Sequence, residues 1–331
     1  MEFTTLGRSG LSVSRLCLGT MNFGPLTSEA DSHAIMDSAH DYGINFFDTA
    51  NAYGLRSAGV SGKGEGKGYT EQIIGRWFAQ GGGRRERTVL ATKLYGDMGD
   101  WPNESKLSAL NIRRALDASL ARLQTDYIDL YQFHHIDRTT PWEEIWQAID
   151  VAITAGKILY VGSSNFAGWH LAQAQAAAYE HNLIGLSSEQ SLYNLIVRDI
   201  ELEVIPAAQH YGIGIIPWSP LQGGLLGGVL RKEREGKRRL EGRAAESVQA
   251  KREQIERFED FAAELGHEPG DVALAWLLHQ PAVTAPIIGP RVQQQLDDAV
   301  RSLDVHLDEK VLARLDEIFP GYRTAPEHYA W

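Results

Sequence analysis

The 331-residue sequence predicts one α/β domain, a closed (β/α)8 barrel of the TIM type with an N-terminal β-hairpin and extra helices. Three observations lead there. Eight short apolar runs, at 15–18, 45–48, 88–92, 127–134, 158–163, 186–190, 214–217 and 283–288, have the length of strands. Except between the last two, one helical pattern separates each run from the next, and eight β-then-α units in a row make a parallel sheet covered by helices. No internal repeat and no Pro- or Ser-rich linker divides residues 1–331, and the length exceeds the roughly 250 residues of a plain barrel.

Residues 2–13 carry Gly7 and Gly10 between short β-prone pieces, as a hairpin closing the barrel bottom would. "SKLSALNIRRALDASLARL" predicts a helix from Ser105, with Leu110, Ala115, Leu116 and Leu120 at helical spacing. "TPWEEIWQAIDVAITAG" predicts another: Thr140 caps it, Pro141 suits its first turn, Glu143 completes a capping box and Gly156 ends it. "DIELEVIPAAQHYG" ends at Gly212, with a kink expected at Pro206. "GDVALAWLLHQ" and "DEKVLARLDEIF" read as two helices beyond the regular count.

Lys plus Arg number 32 and Asp plus Glu 43, a net charge of −11. That argues against general nucleic-acid binding, which needs a basic face to replace phosphate counterions, and against docking on anionic membranes. One cysteine, Cys17, makes an intramolecular disulfide impossible and a Cys-based zinc site improbable. The N-terminal stretch lacks the apolar core of a signal peptide, and no run is long enough to span a bilayer, so a cytoplasmic protein is expected.

Two motifs mislead. "GVSGKGEGKG" at 59–68 has neither phosphate-loop spacing nor a Rossmann fingerprint and reads as a surface loop. "RKEREGKRRLEGR" at 231–243 reads equally as a solvated charged face or as a basic flap near an anionic ligand, since it follows a Gly-rich loop.

In such a barrel the reactive groups lie at the C-terminal ends of the strands. Those ends carry Asp48 and then Tyr53, Lys93, and the pair His134 and His135. Each has a plain structural explanation alone; together they suit proton delivery to a carbonyl oxygen. A Tyr hydroxyl, with a pKa of about 10, is a weak acid at pH 7. A Lys ammonium stabilises its phenolate, and an Asp stabilises the ammonium. An imidazole can orient the carbonyl. The set has no nucleophile, so hydride must come from a cofactor. Of the two histidines, alternation leaves open which faces inward: Gln132 shares a register with His134, and Asp129 with His135. Adjacent positions are expected to diverge, which disfavours a two-His metal site.

Seven stretches, "GINFFDTANAYG", "VLATKLYG", "YIDLYQFHHID", "GKILYVGSSNF", "EQSLYN", "GIIPWSPLQGGLLGG" and "IIGPRVQQQLDDA", together resemble the signature segments of the aldo-keto reductase superfamily, from "LGTMNFG" at 18–24 to about residue 300. The resemblance implies reduction of an aldehyde or ketone with NADPH as the cofactor. It implies a catalytic set of Asp48, Tyr53, Lys93 and His134, the last because Tyr131, Gln132, His134 and Asp137 match the family's Y-Q-x-H-x-x-D. Cofactor binding would fall to Gly19, Thr20 and Met21, to Asp48, to Ser164, Asn165 and Gln190 at the carboxamide, and to Trp218 stacking on the nicotinamide. Ser219, Pro220, Leu221, Gly223 and Gly224 would wrap the pyrophosphate, and Gly289, Arg291, Gln295 and Asp298 the adenosine phosphate. Asp298 stands where the family usually has Glu, and Ala299 where it has Asn. Phe23, Trp101 and His135 are expected to line the substrate pocket, with Tyr95 and the C-terminal "EHYAW" beside them. The alternative that the resemblance leaves open is a redox-sensing, NADPH-binding accessory subunit like the potassium-channel β subunits.

Overall fold

The computed structural model describes residues 1–54, 66–236, 242–325 and 328–330. The chain opens with an antiparallel hairpin, β1 (Phe3–Thr5) and β2 (Ser12–Ser14). Then follow β3 (Cys17–Gly19), α1 (Glu29–Asp41), β4 (Phe46–Asp48), α2 (Tyr69–Phe78), β5 (Val89–Leu94), α3 (Ala109–Leu123), β6 (Ile128–Phe133) and α4 (Trp142–Thr154). After these come β7 (Ile158–Ser164), α5 (Gly168–Glu180), β8 (Leu186–Gln190), α6 (Val204–Tyr211) and β9 (Gly214–Ile215). The last part holds α7 (Val229–Arg234), α8 (Gly242–Ala250), α9 (Arg252–Glu264), α10 (Pro269–His279), β10 (Ile287–Ile288), α11 (Gln293–Arg301) and α12 (Glu309–Ile318).

Strands β3 to β10 form one parallel sheet in the order β10-β3-β4-β5-β6-β7-β8-β9. The gap between β9 and β10 is closed by single contacts: Ile215 N to Ala282 O, Thr284 N to Ile215 O and Ile287 N to Pro217 O. All eight expected strands are present. The last two are shorter than expected because Pro217 and Pro286 have no N–H to give to the ladder.

The alternation of side chains sorts two cores. One set, including Leu18, Phe47, Leu90, Tyr131 and Phe133, faces the helices and packs with Ile73, Trp77, Ile112 and Trp146. The other, Cys17, Phe46, Ala91, Leu130, Ile216 and Ala285, fills the barrel together with Leu6 and Val13 of the hairpin. The hairpin therefore plugs the barrel bottom, as expected. Gly7 holds it close: a Cβ there would stand 2.5 Å from Gly212 O, while Arg8 N donates to that same oxygen.

Several local expectations are corrected. Ser108, not Ser105, caps α3, its Oγ accepting from Asn111 N at 3.3 Å. Thr140 does not cap α4, since its hydroxyl donates to Asp137 Oδ2 at 2.7 Å; Pro141 is the N-cap and Glu143 makes no capping box. Pro206 produces no kink, because it is the third residue of α6, where its missing N–H would have been unpaired anyway. Of the two helices expected as surplus, α12 is extra. Helix α10 instead packs beside α11 and leads back into β10, so the added helices before it are α7, α8 and α9. Among the described residues no helix is long and apolar enough to cross a membrane.

Candidate active site

Strand β4 reads Phe-Phe-Asp, and its alternation sends Phe46 and Asp48 into the barrel and Phe47 outward. Lys93 follows Ala91 on the inner face of β5, and Gln132 follows Leu130 on that of β6. Asp129 faces out, where it pairs with Arg85 at 2.9 Å and accepts from Leu90 N. That settles the register left open by the sequence. His134 N extends the ladder by one bond to Leu94 O, on the inward side shared with Gln132.

At the barrel mouth the Lys93 Nζ donates to Asp48 Oδ1 at 2.5 Å, to Thr49 O at 2.9 Å and to Tyr53 OH at 3.3 Å. Lys93 is fully buried and Asp48 nearly so. Tyr53 comes from the loop after β4, which is pinned where Gly54 meets Gly66: a Cβ on Gly54 would stand 1.6 Å from Gly66 O. The His134 ring meets the Tyr53 ring edge-on, 5.9 Å between centroids. Asp48, Tyr53, Lys93 and His134 are thus brought together. His135 does not diverge from His134; β6 ends at Phe133, strand alternation no longer applies, and the two rings stack at 5.1 Å.

Burial works against the Lys93 charge, but Asp48 and Tyr53 more than offset it and hold its pKa above the ordinary lysine value. Burial likewise raises the Tyr53 phenol, and Lys93 pulls it down without cancelling that effect. Lys93 thus acts in the acid-strengthening direction expected of it, but in the free protein burial outweighs it and leaves Tyr53 above the ordinary tyrosine value. Burial, helped by Lys93, pushes His134 down to about 3, so its imidazole is neutral at pH 7. Among the described residues no group of three or more His, Cys, Asp and Glu is placed to hold a metal.

The other expected site residues fall around this centre. Thr20 is buried and its hydroxyl donates to Asp48 O, while Met21 beside it is exposed. Gly19 is required where β3 meets β10, since a Cβ would lie 2.4 Å from Ile287 Cγ2. Ser164 and Gln190 are cross-strand partners. Asn165, in left-handed conformation, donates to Ser164 Oγ and accepts from Trp218 Nε1 at 3.1 Å. In the turn of Ser219, Pro220, Leu221, Gln222, Gly223 and Gly224, four residues have positive φ. Gly289 O accepts from Asn22 Nδ2. Gln295 Oε1 accepts from Arg291 N at 2.8 Å, and the exposed Arg291 guanidinium has no carboxylate partner among the described residues. Asp298 is bound to its own helix by Gln294 and Arg301.

The pocket residues divide. Phe23 is removed from the pocket: it is fully buried in the outer core, its backbone fixed by Thr20 O and Thr70 Oγ1. Trp101 is 78% exposed. His135 is exposed and Tyr95 half-buried, their rings in contact at 5.3 Å. Of "EHYAW", Glu327 and Trp331 lie outside the described residues, as do 59–65 of the Gly-rich loop and 237–241 of the basic run. In the described part of that run Arg231 pairs with Glu268, and Lys232 Nζ donates to Gly227 O. The sequence reading gave Gln132 no role at the site and missed Glu189. Glu189 is buried on the outer face of β8 and accepts from Ser163 Oγ, Ser191 Oγ and Phe166 N, which secures the loop carrying Asn165. Burial raises it to about 7 against those bonds.

A family model described as the aldo/keto reductase family matches residues 15–319. The chain is 53% identical to an uncharacterized oxidoreductase, YrpG, of Bacillus subtilis (strain 168), over 100% of both chains. It is 33% identical to a versiconal hemiacetal acetate reductase of Aspergillus parasiticus, over 98% of this chain and 100% of the relative. It is 31% identical to a probable voltage-gated potassium channel subunit beta of Arabidopsis thaliana, over 99% of this chain and 100% of the relative.

Proposed function

The chain belongs to the aldo/keto reductase family of oxidoreductases, and from that premise we propose that it is a cytoplasmic, NADPH-dependent reductase of aldehydes or ketones with Tyr53 as proton donor. One observation carries the reading: the buried Lys93 ammonium joins Asp48 and the Tyr53 hydroxyl in a single hydrogen-bonded group at the barrel mouth. A neutral His134 can donate an N–H to the carbonyl oxygen, which a charged one would do only after an unfavourable burial of charge. The Tyr53 proton passes to that oxygen as it becomes negative, and the phenolate left behind is stabilised by Lys93. Asp48 keeps Lys93 charged throughout. A nicotinamide cofactor held by the residues named below would supply the hydride that the chain's own groups lack.

The chain's own groups fit such a cofactor. Residues 219–224 put four positive φ values in one turn, and a Cβ on Gly223 would meet nothing within 4 Å, so backbone is open to a close-lying phosphate. Arg291, without a carboxylate partner among the described residues, lies just before α11, where a helix N-terminus adds N–H groups for an anion. Trp218 and Asn165 hold one another beside Ser164 and Gln190.

NADPH consumption with 4-nitrobenzaldehyde, then across aldehydes, ketones, keto-sugars and methylglyoxal, tests the activity. Tyr53→Phe should lower turnover by about 10²–10⁴-fold while leaving NADPH binding nearly intact, because only the donor proton is lost. Retention of most activity in that variant would sink the assignment. The Arabidopsis relative's name favours one second reading, an accessory subunit that uses the same site for sensing. No turnover across the panel together with co-purification of a partner would favour it instead.

A further inference from the structure

Asp48 is held from two sides. Its Oδ1 takes the Lys93 ammonium, and its Oδ2 takes two amides, Gln132 Nε2 at 3.0 Å and Gln190 Nε2 at 2.8 Å. A carboxylate only accepts, so both glutamines must turn nitrogen rather than oxygen toward it. Gln132 Oε1 is then the free end of its amide, and Gln190 Nε2 lies 3.4 Å away from it. Gln190 Nε2 thus faces both the Asp48 carboxylate and the Gln132 carbonyl oxygen. Among the described residues Gln190 Oε1 has no hydrogen-bond partner. All three side chains are buried, so the arrangement cannot be exchanged freely for contacts with water.

We propose that Gln132 is a positioning residue that, together with Asp48, holds the orientation of the Gln190 amide, so that Gln190 offers an acceptor, Oε1, to the primary amide of a nicotinamide. The inference rests on the proposed cofactor. Through the shared Asp48 carboxylate, the same contact ties the cofactor end of the site to the Lys93–Tyr53 pair. A purely spatial role for Gln132 is the competing explanation, since its Cγ lies 3.0 Å from where a Gly162 Cβ would be. Methionine has nearly the same length and volume but no amide, so Gln132→Met separates the two.

The test compares dissociation constants for NADPH and for its reduced 3-acetylpyridine analogue, in which a methyl ketone replaces the carboxamide and no N–H remains to donate. Quenching of tryptophan fluorescence reads both without turnover. The wild-type protein should prefer NADPH by about two- to tenfold, the worth of one neutral hydrogen bond. In Gln132→Met the ratio should fall toward one. Gln190→Met should do the same, and the double variant should be no worse than either single one. Gln132→Leu serves the same comparison should the methionine variant fail to fold. A ratio unchanged by Gln132→Met overturns the role of Gln132 alone. Equal affinity for both nucleotides in the wild type overturns the acceptor assignment. A wild type that binds neither nucleotide removes the cofactor reading itself.

Discussion

In the proposed reaction Tyr53 releases a proton at neutral pH from a hydroxyl that burial holds above its ordinary value, and Lys93 is the one charge that works in the helpful direction. The sign of the pH dependence follows. Reduction needs Tyr53 protonated, so its rate falls only as pH rises through the Tyr53 pKa, which lies above that of a free tyrosine. Removing the ammonium in Lys93→Met takes away the lowering influence, so the pKa rises further and the alkaline limb moves to still higher pH. The rate should nevertheless fall by at least about a hundredfold, because the forming phenolate loses its stabilising partner. Alcohol oxidation, which needs the phenolate as base, should lose more than reduction when both are measured at pH 9. Profiles of kcat/KM from pH 6 to 11 in both directions decide. A limb displaced toward acid, or an unchanged rate, would remove Lys93 from the acid-tuning role. No inflection from His134 is expected between pH 5 and 8, since burial and Lys93 hold it at about 3.

At the scale of elements, each barrel strand is visible in the sequence as a short apolar run, and the hairpin as two glycines between β-prone pieces. Their ends are less visible. Arg15 lies in an expected strand, yet its guanidinium reaches across to the carbonyls of Leu278, Val283 and Thr284, and β3 starts only at Cys17. Helix starts are hidden where a hydroxyl has a better partner, as Thr140 has in Asp137. The histidine register is undecidable from sequence because the barrel mouth is polar inside and β6 also carries a polar group outside. Only the contacts of Gln132 with Asp48 and of Asp129 with Arg85 distinguish the two faces. The start of α11 is better defined. The carboxylates next along the helix are engaged elsewhere, Asp297 by Tyr42 and Gln293 and Asp298 by Arg301 and Gln294, which leaves the Arg291 guanidinium without a carboxylate partner among the described residues, beside a helix N-terminus. A bidentate grip of Arg291 on the 2′-phosphate of the proposed NADPH would contribute roughly 1.5–3 kcal/mol. Arg291→Ala should therefore weaken NADPH binding by about ten- to a hundredfold and leave NADH almost unaffected. Equal losses for both nucleotides would mean that Arg291 holds its loop rather than reading the phosphate.

The whole molecule separates stability from chemistry along the barrel axis. The mouth concentrates the interior polar groups, Asp48, Lys93, Gln132 and Gln190, each engaged by another. The floor is apolar, with Leu6 and Val13 of the hairpin packed on Cys17, Phe46, Val89 and Leu130. Charge is thus held where carbonyl chemistry would occur, and apolar area is removed from water where nothing needs to bind. Leu6 is fully buried in that floor. Leu6→Ala should cost about 2–5 kcal/mol, the range for a leucine whose loss leaves a cavity, and lower Tm by several degrees. Among the described residues no hydrogen bond or ion pair joins the Lys93–Asp48–Tyr53 group to the hairpin, so kcat/KM measured well below Tm should stay within about twofold of wild type. Thermal melts beside steady-state rates at 20 °C make the comparison. A variant that remains folded at 20 °C but loses most of its activity would show that the floor and the mouth are coupled through the barrel interior, and the axial division would not hold.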